Sequence, residues 1–293
     1  MKKIYVFGEV LYDCFPGGES VLGGAPFNVA WHLHALGNQP QFISRVGTDA
    51  LGDQIVAAMR EWGMDTSAIQ RDEDHPTGTV QVQIENDEPT YDICSGVAYD
   101  FMDASCMPAP SSGDILYHGS LALRAPESRA AWHALANSTQ ADIFMDVNLR
   151  EPWWQADEIK TWLRRAHWAK MNGDELRALG YQADTLEAAM AALQDDLGVN
   201  EVIVTRGRQG ALVRSRDGSV HSVPPPPLHN HVDSVGAGDS FSAVYLHGVL
   251  AGWSLLQSLD AAQQFAVGII GQRGATPSDR SFYSAFLETL QHV

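Results

Sequence analysis

Short apolar runs separated by helical patterns recur along this chain: Ile4–Gly8, Gln41–Val46, Ile115–His118, Ile143–Val147, His167–Met171 and Val202–Thr205. Runs of this length without polar alternation are strands buried on both faces. Strands that alternate with helices build a parallel sheet, because parallel neighbours need a crossover and the helix supplies it. The fold class read from the sequence is therefore α/β, a mostly parallel central sheet with helices on both faces. Between Gly78 and Ile93 the pattern changes: Val80, Val82 and Ile84 alternate with polar residues ahead of the turn Asn86-Asp87-Glu88-Pro89. That spacing predicts a half-exposed hairpin.

At 293 residues the chain is long for one domain, but large α/β folds reach this size as a single unit. No repeat interrupts it, and the run Pro224–Pro227 reads as a stiff connection. We expect one domain over 1–293. The formal net charge of −17 argues against nucleic-acid and anionic-membrane partners, which need basic surfaces. No segment approaches the roughly 18 apolar residues of a membrane-spanning helix. The start, Met1 to Glu9, has an apolar run too short for a leader and reads as a first strand, so a cytoplasmic location is expected. Cys14, Cys94 and Cys106 are odd in number and lack metal spacing, and His229 and His231 lack a third ligand nearby.

The chemistry concentrates at Asp233-Ser234-Val235-Gly236-Ala237-Gly238-Asp239, which runs into the apolar helix opening Ser240-Phe241-Ser242-Ala243. Gly236, Ala237 and Gly238 let the backbone approach a ligand, and the first N–H groups of a helix lack intrahelical partners. An anionic oxygen suits them. A carboxylate in such a place repels phosphate, so Asp239 is explained as the acceptor of a proton from a hydroxyl that attacks phosphorus. A second glycine pair, Gly23-Gly24, precedes a helix predicted to be amphipathic and to reach about Leu36, with Asp13 upstream and Asn28 inside it.

These residues resemble the PfkB/ribokinase family of carbohydrate kinases over nearly the whole chain. Three further segments carry the resemblance: Asp146-Val147-Asn148-Leu149-Arg150, Asn172-Gly173-Asp174-Glu175, and the strand and turn Val202 to Ala211. The segment Tyr117-His118-Gly119-Ser120-Leu121-Ala122-Leu123 is similar to that of the bacterial fructokinase branch, where ribokinase-type members carry a sugar-binding glutamate.

The resemblance implies a ribokinase-like fold with a small β lid, from about 10–22 and 77–100, that closes over the sugar and supports a homodimer in relatives. It implies ATP and Mg2+, with room for a monovalent cation such as K+. By position, Asp13, Gly24 and Asn28 hold sugar hydroxyls, with Asn148 and Arg150 near the sugar or the transferred phosphoryl group. Thr205, Gly207, Gly210 and Asp233 lie on the nucleotide side, Asn172 and Glu175 organise the magnesium through water, and Gly236, Ala237, Gly238 and Asp239 form the catalytic turn. Taken alone, an Asn and a Glu opening a helix are an ordinary cap.

No Gly-x-x-x-x-Gly-Lys-Ser/Thr loop exists, and the first strand does not lead into Gly-x-Gly-x-x-Gly, which sets aside P-loop and dinucleotide readings. The sequence thus points to an ATP-dependent sugar kinase acting on a primary hydroxyl, with D-fructose first. The alternatives are a 2-keto-3-deoxygluconate kinase and a sensor that binds sugar or nucleotide without turnover.

Overall fold

The computed structural model describes residues 2–85, 88–138, 140–227, 235–272 and 274–290. Thirteen strands and nine α-helices are assigned among them. The first half contains β1 (Ile4–Phe7), β2 (Leu11–Cys14), β3 (Ser20–Gly23), α1 (Ala25–Ala35), β4 (Gln41–Gly47), α2 (Ala50–Trp62), β5 (Ile69–Asp72), β6 (Gly78–Glu85), β7 (Glu88–Ile93), β8 (Ile115–His118) and α3 (Pro126–Ser138). The second contains β9 (Asp142–Asp146), α4 (Ala156–Leu163), β10 (Trp168–Asn172), α5 (Gly173–Ala178), α6 (Leu186–Leu197), β11 (Glu201–Thr205), β12 (Ala211–Ser215), β13 (Val220–Val223), α7 (Ala237–Ala251), α8 (Leu255–Ile270) and α9 (Arg280–Leu290).

Nine strands form the main sheet in the order β13-β12-β11-β10-β9-β8-β1-β4-β5. All pairs from β11 to β5 are parallel; β12 alone runs against them, and β13, antiparallel to β12, returns to the common direction. The six runs read from the sequence fall on β1, β4, β8, β9, β10 and β11, each within two residues of its observed ends. The sequence analysis did not assign β5, β12 or β13 as strands of this sheet. They lie at its two ends, where Ile69-Gln70-Arg71-Asp72 and Val220-His221-Ser222-Val223 lack a continuous apolar run.

Successive residues of a strand face opposite sides, so each strand feeds two cores. Ile4 and Val6 join an apolar cluster with α1, α2, α7, α8 and α9, whereas Tyr5 and Phe7 join another with α3, α4, α5 and α6. Helix α1 departs from the amphipathic pattern expected of it. Every residue from Ala25 to Leu33 is buried, because α1 packs between the sheet and α7.

A second sheet of four strands, β3-β2-β6-β7, stands beside the first. Val80 and Val82 are buried while Gln81 and Gln83 are exposed, which is the one-sided pattern read for this hairpin. Its turn at Asn86 and Asp87, together with His229, His231, Asp233 and Ser234, lies outside the described residues. Among the described residues no helix is long and apolar enough to cross a membrane, and the three cysteines are free.

Candidate active site

Strands β1, β9, β10 and β11 are parallel neighbours or one strand apart, so their C-terminal ends share one edge of the sheet. Ligands bind parallel α/β sheets at this edge, where the loops converge. A cleft of about 980 Å³ opens there. The second sheet contributes Asp13, Val21 and Tyr91 to its wall, and the main sheet contributes Asp146, Lys170 and Thr205.

Helix α7 begins inside this cleft. Gly236 is its N-cap in the left-handed conformation, φ 78°, and no side chain caps the helix. Beta carbon on this residue would sit 2.4 Å from that of Ala275, so only glycine allows the turn to seat against the loop before α9. The unpaired N–H groups of the first turn therefore face the cleft. Beneath them lies Lys170, whose Nζ would be 3.0 Å from a β-carbon placed on Gly238. Its ammonium adds a fixed positive charge to the helix terminus.

Asp239 stands in that same first turn, half-buried on the cleft wall. Asn28 Nδ2 donates to its Oδ2 at 2.8 Å, which ties α7 to α1. Withdrawal from water pushes Asp239 up to about 6, with Asp146 adding to the rise; the Asn28 hydrogen bond, Lys170 and Arg150 act in the opposite direction. A carboxylate in this range is ionised at neutral pH and still basic enough to take a proton.

The start of α7 is tied to the sheet beneath Asp239. Lys170 lies opposite Asp146 across the β9–β10 pair and binds both its oxygens, at 3.1 and 3.0 Å. Ser242 Oγ, one turn into α7, donates to Asp146 Oδ2 at 2.8 Å. Asp146 is 1% exposed and Lys170 6%. Sequence reasoning passed over Lys170 and Ser242, and it quoted Asp146 only as part of a motif. A lysine inside an otherwise apolar strand is the signal that was available.

On the sugar side of the expected arrangement, Asp13, Gly24, Asn28, Asn148 and Arg150 all line the cleft. Gly24 has φ 110°, and a β-carbon there would meet the Glu9 carbonyl oxygen at 2.7 Å. Burial raises the Asp13 carboxyl, and Arg150 draws it back. Asn148 holds a positive φ of 38° at the end of the β9 segment. Glu9, which sequence reasoning also missed, is 3% exposed and lines the same cleft.

On the other side, Thr205 and Gly207 line the cleft next to an apolar wall of Phe241, Ala266, Val267 and Ile270. Gly210 does not line it; it closes the turn into β12, its carbonyl accepting from Arg206 N at 2.8 Å. Asn172 and Glu175 line the cleft as a reciprocal cap of α5. The Asn172 side chain accepts from the N–H groups of Asp174 and Glu175, while the Glu175 oxygens accept from Asn172 N at 2.8 Å and Leu149 N at 2.9 Å. Among the described residues no cluster of three metal-ligating side chains exists.

The chain matches the model of the pfkB family carbohydrate kinases over residues 1–281. It is 31% identical to a fructokinase of Escherichia coli over 261 residues, 84% of each chain. It is 28% identical to an aminoimidazole riboside kinase of Salmonella typhimurium, covering 82% of this chain and 79% of that one. Among solved structures, a fructokinase of Vibrio cholerae O395 bound to fructose, ADP and calcium superimposes with a TM-score of 0.84 at 25% identity, covering 98% and 99% of the two chains. The fold is ribokinase-like, and the chain belongs to the pfkB family of carbohydrate kinases.

Proposed function

We propose that this carbohydrate kinase transfers the γ-phosphoryl group of ATP to the 6-hydroxyl of D-fructose. The observation that carries the reading is Asp239: a basic carboxylate beside the uncapped N–H groups of α7, in the cleft that holds every described residue expected to bind sugar. The hydroxyl oxygen attacks phosphorus as Asp239 takes its proton. A new P–O bond forms, the bond to ADP breaks, and the charge on the equatorial oxygens spreads toward Gly236, Ala237 and Gly238. Lys170, under the same turn, offsets that charge.

The donor set fits a magnesium ion held chiefly by phosphates and water. Glu175 is a carboxylate on the cleft wall, and Mg2+ keeps most of its hydration when bound this way. With it bound, the ion would neutralise the phosphates in a protein of net charge −17. Neighbouring structures support ATP as donor, since a fructokinase and an aminoimidazole riboside kinase of this fold were crystallised with ADP and an ATP analogue respectively. The second sheet serves as a lid that excludes water from the phosphoryl group.

Fructose is favoured by the relation to bacterial fructokinases. A second reading, a kinase of a deoxygenated sugar acid such as 2-keto-3-deoxygluconate, draws on Arg150. Its guanidinium lies on the cleft wall and makes no ion pair among the described residues, so it would receive a carboxylate. Sugar-dependent ADP release across fructose, ribose, 2-keto-3-deoxygluconate and aminoimidazole riboside separates these readings. Fructose gives the highest kcat/KM; another sugar used more than about tenfold better would overturn fructose and leave the kinase. Absence of turnover with any sugar would leave a sensor.

Asp13→Ala removes a proposed hydroxyl acceptor without touching α7. Fructose affinity falls by about one to two orders of magnitude, the worth of a hydrogen bond to a charged group, and ATP affinity stays put. Calorimetry with each ligand checks both halves, and unchanged fructose affinity would make Asp13 structural.

A further inference from the structure

Glu9 lies two residues past the end of β1 and is only 3% exposed, yet it lines the cleft. Its Oε2 is buried and meets no hydrogen-bond partner among the described residues. A buried acceptor left empty costs free energy comparable to a lost hydrogen bond, so a partner must arrive from somewhere. Asn28, on the same wall, has the same need: its Nδ2 is committed to Asp239, and its Oδ1 is buried and unpartnered. Two acceptors waiting together select a ligand that brings donors.

No described residue donates a hydrogen bond to Glu9 Oε2. Arg124 and Tyr99 both act on its charge, and Arg124 Nη1 and the Tyr99 hydroxyl are buried without partners among the described residues, yet neither is hydrogen-bonded to Glu9; Arg124 Nε and Nη2 are held by Asp100, at 2.8 and 3.0 Å, and Nη2 also by the Cys94 carbonyl. The guanidinium is further pinned over the Trp153 ring, 4.5 Å from its centroid. Arg150 also acts on Glu9 but lies exposed on the cleft wall. Gly24 closes the backbone of Glu9 from the α1 side, since nothing larger than a hydrogen fits against its carbonyl. The open direction is the cleft.

We propose that Glu9 is a sugar-specificity residue whose carboxyl group accepts a hydrogen bond from a hydroxyl of the bound sugar other than the one phosphorylated. The inference rests on the sugar-kinase reading of the cleft and goes further by naming what the site rejects. A sugar bearing a methylene at that position leaves Glu9 unpartnered, and one bearing a ketone or carboxylate sets an acceptor against an acceptor. The residue thereby selects a polyol over a deoxygenated or oxidised analogue.

The test compares kcat/KM for the sugar that wild type uses fastest, D-fructose by expectation, with its monodeoxy analogues. It uses wild type, E9A and E9Q at about pH 8, where Glu9, pushed up to about 7 by burial, is ionised. Wild type disfavours the analogue lacking the recognised hydroxyl by about ten- to a hundredfold. In E9A that one penalty collapses to within about threefold while the penalties at other positions persist. E9Q keeps the shape and a neutral acceptor, so its penalty at that position shrinks by about threefold or more; it decides the matter if E9A does not fold. Penalties identical to wild type at every position, or a uniform loss on all sugars, would overturn the role of Glu9. Failure of wild type to phosphorylate any sugar would instead overturn the kinase reading beneath it.

Discussion

Asp239→Asn lowers turnover by roughly two to four orders of magnitude, the usual worth of a positioned general base. Asparagine preserves the size of the side chain and its hydrogen bond with Asn28 after an amide rotation, so the start of α7 stays in place. Fructose and ATP therefore still bind, and ATP binds slightly more tightly because a negative charge facing its γ-phosphate is gone. A first-turn residue without chemistry would tolerate the change, since only a modest interaction with the helix terminus is lost. A folded Asp239→Asn protein that keeps more than about a tenth of wild-type turnover would end the assignment. The pH profile provides a second check. Asp239 works only when ionised, so kcat/KM falls as pH drops through about 6, the value to which withdrawal from water raises it. Glu9 lies close enough for each carboxyl to raise the other, so the acid limb belongs to the pair. Replacing Asp239 removes its contribution to that limb.

Lys170→Met destabilises the fold by about 3–5 kcal/mol, because it leaves Asp146 charged and nearly sealed from water. Burial alone would push the Lys170 ammonium down, but Asp146, with Glu175 and Asp239 behind it, holds it above its ordinary value. A raised lysine contributes stability that is complete below its unfolded value and disappears only as pH rises through the folded one, so the pair is intact at neutral pH. Denaturant unfolding at pH 7 measures the loss. Replacing both partners, Asp146→Leu with Lys170→Met, recovers a large part of it, since neither charge is then stranded. A single Lys170→Met variant with an unchanged midpoint would show that the ion pair carries no net stability.

The parallel core was legible because its strands are sealed on both faces and read as uninterrupted apolar runs. Strand β5 was not, because at the end of the sheet Gln70 and Arg71 need not be buried. Helix α1 was misread as amphipathic for a related reason: His32 and Asn28 look like a polar face in sequence, but both are buried, one bonded to Tyr283 and the other to Asp239. Much of the cleft could be found from glycines and carboxylates at helix starts, since local backbone geometry demands them. Ser242 could not, and Lys170 could be noticed as a lysine in an apolar strand but not paired, since their partner Asp146 is brought to them only by sheet pairing and by the packing of α7. Asn172 and Glu175 show the opposite case, in which the local cap is complete in itself and the sequence offered two explanations for the same pair.

The second sheet has an apolar cluster of its own, Leu11, Val80, Ile93, Val97, Tyr99 and Leu121, distinct from the two that flank the main sheet. Helix α7, by contrast, is rooted in the largest core through Phe241, Val244 and Tyr245. Heritable change therefore meets two very different resistances within one cleft. Cleft residues of the second sheet, such as Asp13, can drift at the cost of a small satellite core, while any alteration that moves Asp239 must also disturb the packing on which folding depends. A lineage built on this plan can diversify its acceptors and keep its chemistry.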